Sequence, residues 1–429
     1  MKFIYKDTAR LDNTEIEETA QSLQEYISIL NDITKSSNKY EDLECSINLP
    51  FDTEILAQVQ QLKAKKVTDK LKYLILIGIG GSNLGTKAVY DALFGFYDVL
   101  QPSRFPKIIF LDTQDEEILA KTIMLIETLT DKEEFLVNAI SKSGGTTETA
   151  ANLEVIYEAL NKKFGDVMDR FVFTTDEDSK MHTVAKGKGI DVLNLPRLVG
   201  GRYSVFSVVG IFPFAVMGFN IEALLRGAQN MRNVCLRSAN EDNPAANSAA
   251  ILYLHWKAGI NINDNFIFLP QLESLGKWYR QLMGESIGKD GKGITPTVSI
   301  GSTDLHSVGQ LYLGGPKDKI TTFIYSETPK YDTIVPEQTA FNLVDTIVKR
   351  PIHTIMNAIV EGTSAAYAKQ SLPYMMIAFD QVSEEHLGEF MQFKMMEMMY
   401  LGHLMEVTTF DQPHVELYKV ETKRILENK

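Results

Sequence analysis

The chain has 429 residues, 44% hydrophobic and 23% charged, the make-up of a soluble globular protein with room for two domains. A formal net charge of −13 excludes nucleic acid and anionic membrane as partners, since either demands a basic face, so an anionic ligand must be held by local groups. Cys45 and Cys235 stand in no metal-type spacing and form no disulfide framework, which points to a reducing cytoplasm, and the N-terminus lacks the apolar core of a signal peptide.

Residues 1–65 show a mostly polar helical pattern, broken at Asn48-Leu-Pro50, with no evident chemistry. Short apolar runs then recur between helical stretches at 73–77, 107–111, 135–140, 171–174 and 191–195. Strands alternating with helices require crossover connections, hence a parallel sheet covered on both faces, with ligands beyond the carboxyl ends of the strands.

The first run breaks into Gly78-Ile-Gly-Gly-Ser-Asn-Leu-Gly85. Gly78, Gly80 and Gly81 allow positive φ and close approach of bare N–H groups, and Ser82 is placed to cap the helix that follows. Such a helix start is an anion site. A dinucleotide loop would need glycine where Asn83 stands, which favours a small phosphate over a nucleotide. The loop after the third run, Ser141-Lys-Ser-Gly-Gly-Thr-Thr-Glu-Thr149, adds hydroxyls and one ammonium on the same rim. Alone it reads as a Ser/Thr-rich turn capping a helix, with Lys142 solvated. Two such loops together favour an anion clamp.

In Leu198-Val-Gly-Gly-Arg-Tyr-Ser204, paired glycines let Arg202 approach a ligand and hold developing negative charge, with structural pairing to a carboxylate as the other reading. The apolar run 205–219 is interrupted and too short to span a bilayer, so it reads as a buried helix. A second series at 265–269, 297–300, 320–324 and 374–379 gives a second parallel sheet, and the weak match of Ser82-Asn-Leu-Gly85 to Ser274-Leu-Gly276 is what a duplication would leave. Gln281-Leu-Met-Gly-Glu-Ser-Ile-Gly-Lys289 places Glu285 in a glycine-flanked loop, and Ser302-Thr-Asp-Leu-His-Ser307 presents His306 near a helix start. Singly, these read as a surface glutamate and a satisfied histidine. The Met-rich run 390–400 has the spacing of a core or interface helix. The expected division is a helical N-terminal segment 1–65, α/β domains at 66–220 and 221–400, and a C-terminal segment 401–429.

The ordered set of Ile77–Gly85, Ser141–Thr147, Gly200–Ser204, Gly284–Lys289, Thr303–Ser307 and Phe410-Asp-Gln-Pro with Val415-Glu and Lys419 resembles the glucose-6-phosphate isomerase family along nearly the whole chain. The resemblance implies two sugar-isomerase α/β/α sandwiches with parallel sheets, in a homodimer. It implies that Gly81, Ser82, Ser141, Lys142, Ser143 and Thr146 hold the substrate phosphate. Glu285 would carry the proton between C2 and C1, Arg202 would steady the enediolate, and Gln281 and Gln412 would position the sugar. His306, supplied across the dimer interface, and Lys419 would open the ring. No cofactor and no metal is implied. Two positions depart from the family pattern: His414 replaces a small residue and Gly145 replaces a hydroxyl residue. The rival expectations are an isomerase that also takes mannose 6-phosphate and a non-catalytic sugar-phosphate sensor.

Overall fold

The computed structural model describes residues 1–238 and 242–428. In chain order the strands are β1 (Lys2–Ile4), β2 (Tyr73–Ile77), β3 (Lys107–Leu111), β4 (Phe135–Ile140), β5 (Phe171–Thr175), β6 (Asp191–Asn194), β7 (Ile262–Ile267), β8 (Thr295–Ile300), β9 (Lys319–Ser326) and β10 (Tyr374–Phe379). They form two five-stranded sheets, β3-β2-β4-β5-β6 and β8-β7-β9-β10-β1. The first sheet is wholly parallel. Its inner strands are apolar runs because both faces are covered by helices, which is why they are legible as continuous hydrophobic stretches.

The two sheets are wound alike. Each places its second strand outside its first, then adds the third and fourth on the other side. That shared winding accords with a duplication. The fifth place in the second sheet is filled by β1, antiparallel to β10 with Phe3 opposite Ile377. Residues 1–65, expected as a helical segment, thus also supply a strand, and the second sheet, expected as parallel, gains one antiparallel edge. The break at Asn48-Leu-Pro50 falls inside a 3₁₀ turn, Cys45–Phe51, between helices Gln24–Lys35 and Thr53–Lys66.

One large core runs between the sheets and includes Leu74 and Leu76 of β2 with Ile267 and Ile324 of β7 and β9; smaller cores cover the outer faces. The apolar run after Arg202 becomes helix Val208–Met217, every residue of which is buried. The Met-rich run lies in helix Glu384–Leu404, packed on helix Ile221–Cys235. Their crossing is close: a Cβ at Gly227 would lie 1.9 Å from the Glu385 carbonyl oxygen, and one at Gly388 would lie 2.0 Å from that of Leu224. The run is therefore core. Helix Glu273–Ile287, which carries Gln281 and Glu285, packs on helix Leu84–Leu93, which follows the first glycine loop, and so joins the two halves where the candidate residues lie. Among the described residues no helix is long and apolar enough to cross a membrane.

Candidate active site

The first sheet reverses direction of winding between β2 and β4, and the loops leaving those strands are the two anion-rich stretches. A crevice at that point is the expected ligand site of such a sheet. After β2 the chain makes a 3₁₀ turn, Gly80–Ser82, with Gly80 at φ +60°. Asn83, not Ser82, occupies the N-cap of helix Leu84–Leu93, and it makes no side-chain cap bond. The Asn83 amide instead donates to Asp112 at 2.9 Å. The extra turn thus moves Ser82 out of the capping position expected of it.

After β4, Thr146 holds the N-cap of helix Thr147–Phe164, again without a cap bond, because its hydroxyl is 2.9 Å from that of buried Ser141. Both helices therefore start with N–H groups that no side chain satisfies, whereas Asp52, Asp115 and Ser179 cap their own helices. Two open helix starts on one rim suit an anion. Lys142 sits beside them, its amine hydrogen-bonded to the Val199 carbonyl at 3.1 Å. Burial pushes the Lys142 ammonium below the usual lysine range, with Asp176 opposing, so an arriving anion would relieve a desolvated charge. Ser143 is exposed, and its hydroxyl accepts from the Gly145 N–H at 3.5 Å. Gly145 has open space where a side chain would stand.

The Arg202 loop closes directly on this rim. A Cβ at Gly81 would lie 2.1 Å from the Gly201 carbonyl carbon and 2.6 Å from the Arg202 nitrogen, so only glycine allows the two backbones to meet. Arg202 is 2% exposed. Its guanidinium donates from Nε to Ser286 Oγ at 2.9 Å, from Nη1 to Glu285 Oε2 at 3.2 Å and to Gln412 Oε1 at 2.8 Å, and from Nη2 to the carbonyls of Thr409 and, at 3.0 Å, Asp411. The second oxygen of Glu285 accepts from Gln281 Nε2 at 3.1 Å. Gln281 in turn faces Gly80, where a Cβ would come within 2.9 Å of Nε2. Glu285 does not lie in a loop as expected: the helix continues to Ile287 and ends at Gly288, and Gly284 is simply accommodated within it. Its carboxylate remains part-exposed toward the cleft, at 29%.

The chain thus brings Gly81 against the Arg202 loop, Gly80 against Gln281, Gly78 against Ser82 and against Ile140 at the head of the Ser141 loop, and Arg202 to Glu285 and Gln412. It does not bring His306 or Lys419 there. His306 is exposed on the 3₁₀ turn Thr303–His306 after β8, and Lys419 is exposed on helix Val415–Glu427, paired with Glu416 at 2.7 Å. Sequence reasoning missed Ser286, which is fully buried and hydrogen-bonds both Arg202 and, at 3.0 Å, the Tyr203 hydroxyl. Its signal was its place directly after Glu285. No group of three or more His, Cys, Asp or Glu side chains that could hold a metal ion occurs among the described residues.

Two helix starts without side-chain caps in one sandwich, beside a carboxylate that a helix of the other sandwich holds against an arginine, are the parts an enzyme needs to anchor an anionic substrate at one end and move protons at the other. The chain belongs to the phosphoglucose isomerase family, whose model matches residues 54–320. It is 34% identical over 396 residues to a glucose-6-phosphate isomerase of Carboxydothermus hydrogenoformans, covering 88% of this chain and 84% of that one. It is 32% identical to a glucose-6-phosphate isomerase of Methanocaldococcus jannaschii, covering 83% and 85%. The crystal structure of a hypothetical protein from Thermus thermophilus matches with a TM-score of 0.86 at 29% identity over 99% of both chains.

Proposed function

We propose that this aldose–ketose isomerase interconverts glucose 6-phosphate and fructose 6-phosphate through an enediol. Gly81, Ser82, Ser141, Lys142, Ser143 and Thr146 hold the phosphate, using the two open helix starts. Glu285 removes the proton from C2 of the open-chain aldose, the released electron pair forms the C1–C2 double bond as the C1 carbonyl pair moves onto O1, a proton passes from O2 to O1, and the same carboxyl returns its proton to C1 as C2 becomes a carbonyl. Arg202 offsets the enediolate charge and Gln281 and Gln412 orient the sugar. The observation that carries this reading is the Glu285 carboxylate, gripped at both oxygens by Arg202 and Gln281 beside the Gly80–Ser82 turn. Incubated with fructose 6-phosphate, the protein should yield glucose 6-phosphate in a coupled dehydrogenase assay, with mannose 6-phosphate a poor competitor. Saturable binding of fructose 6-phosphate without any aldose product would favour the sensor reading.

His306 and Lys419 open the sugar ring, His306 from the second subunit of a homodimer. Their exposed positions support this, as do large apolar side chains left exposed at Phe341 (83%), Leu343 (86%) and, beside Lys419, Leu417 (66%). Both cysteines are buried free thiols, in keeping with a reducing cytoplasm. If the site is shared, co-refolding His306→Ala with Glu285→Gln, each inactive alone, restores about a quarter of wild-type activity, because half the statistical mixture is heterodimer with one intact site. A mixture as inactive as its components would show that both residues act within one chain.

A further inference from the structure

After Glu285 the chain closes a two-residue hairpin. The backbones of Lys289 and Lys292 exchange hydrogen bonds of 3.1 and 2.8 Å, and the residues between them, Asp290 and Gly291, take φ of +54° and +74°. Positive φ at both central positions is the mark of a type I′ turn, for which Asp-Gly is a preferred pair. The turn sends two amines toward one stretch of chain more than a hundred residues away. Lys289, 7% exposed, donates to the Thr408 carbonyl and pairs with the Asp411 carboxylate at 2.7 Å. Lys292 donates to the Met405 carbonyl at 2.8 Å. The same stretch is held from the other side by Arg202, through the carbonyls of Thr409 and Asp411 and the side chain of Gln412. Asp411 is therefore the shared piece, with its carboxylate on Lys289 and its carbonyl on Arg202.

We propose that Lys289 is a positioning residue: by holding Thr408 and Asp411 it fixes the segment that sets Gln412 and Arg202 against Glu285, with Lys292 as a second point of the same grip. Burial disfavours the Lys289 ammonium and Asp411 favours it, so the amine is held to this segment by the Asp411 carboxylate and the Thr408 carbonyl, and losing the amine frees the segment. The catalytic consequence rests on the isomerase reading, while the grip itself can be measured without turnover.

The test compares Lys289→Met, which keeps most of the aliphatic stem, with Lys289→Arg, Lys292→Met and Asp411→Asn. Lys289→Met should speed amide hydrogen exchange across 408–412 and lower kcat about tenfold with KM for fructose 6-phosphate within about threefold, since a small misplacement of reacting groups acts on the chemical step. Lys289→Arg should recover part of the loss. Lys289→Met and Asp411→Asn together should lose no more than the worse single variant, because both break one contact. Faster exchange with unchanged kcat, lowered kcat with unchanged exchange, or additive losses would each overturn the proposal. If Lys289→Met does not fold, Asp411→Asn and Lys292→Met are read for the same pair of changes. A wild-type protein without isomerase activity would fail the functional reading and leave the exchange measurement to judge the grip.

Discussion

Glu285→Gln should lower kcat by roughly 10³-fold or more, about 4 kcal/mol of barrier, while KM for fructose 6-phosphate moves by less than about threefold. Proton transfer between two adjacent carbons requires a group that takes a proton from one and returns it to the other, and an amide does neither. The substitution should otherwise be mild. Glutamine has nearly the volume of glutamate, and its carbonyl can still accept from Arg202 Nη1 where Oε2 now does. Its NH₂ would then face Gln281 Nε2, donor against donor. Gln281 can relieve this by turning its amide, because its own Oε1 is buried without a hydrogen-bond partner. The variant should fold, bind sugar phosphate and fail to exchange the C2 proton of substrate with deuterated solvent. Normal exchange would remove Glu285 from the role of base. A non-catalytic sensor predicts no difference between variant and wild type.

The sequence carried the sheets well where strands are central and apolar, and less well where burial is polar or the partner strand is remote. β7 was expected at 265–269 but spans Ile262–Ile267, because Asn263, Asp264 and Asn265 are polar and yet fully buried. Hydrogen bonds meet part of the cost: Asn263 donates to the Thr322 hydroxyl at 3.3 Å, and Asp264 Oδ1 accepts from Thr297 at 2.6 Å, Ser299 at 3.0 Å and Tyr312 at 3.0 Å, while Asp264 Oδ2 and Asn265 Oδ1 have no hydrogen-bond partner. Burial also pushes the Asp264 carboxyl above the usual carboxylate range, against those hydroxyl donors. No local pattern shows this. β1 is only three residues long, and its partner lies more than 370 residues away. The glycines and hydroxyls of the anion loops were legible because that chemistry is local to each loop. The bracing of Arg202 was not. Its partners Ser286, Glu285 and Gln412 lie 84, 83 and 210 residues along the chain.

That bracing sets the second large effect. Arg202→Lys keeps the charge, and is expected to lower kcat by about 10²–10³-fold and to lower Tm as well. An ammonium has three donors and no planar fork, so it cannot serve Ser286, Glu285, Gln412 and the carbonyls of Thr409 and Asp411 together. Each buried acceptor left without a donor costs about 1–3 kcal/mol. Ser286, Tyr203 and Thr409 are all buried, so water reaches these groups poorly. Glu285→Gln leaves that network whole and should barely move Tm, which separates the two variants by a measurement independent of turnover. The pair of readouts also separates two roles for the guanidinium. A fall in both kcat and Tm means that it braces the cleft and offsets the enediolate charge. A fall in Tm with kcat within about threefold of wild type would make Arg202 a brace alone, and the charge of the intermediate would then have to be met by the amides of Gln281 and Gln412.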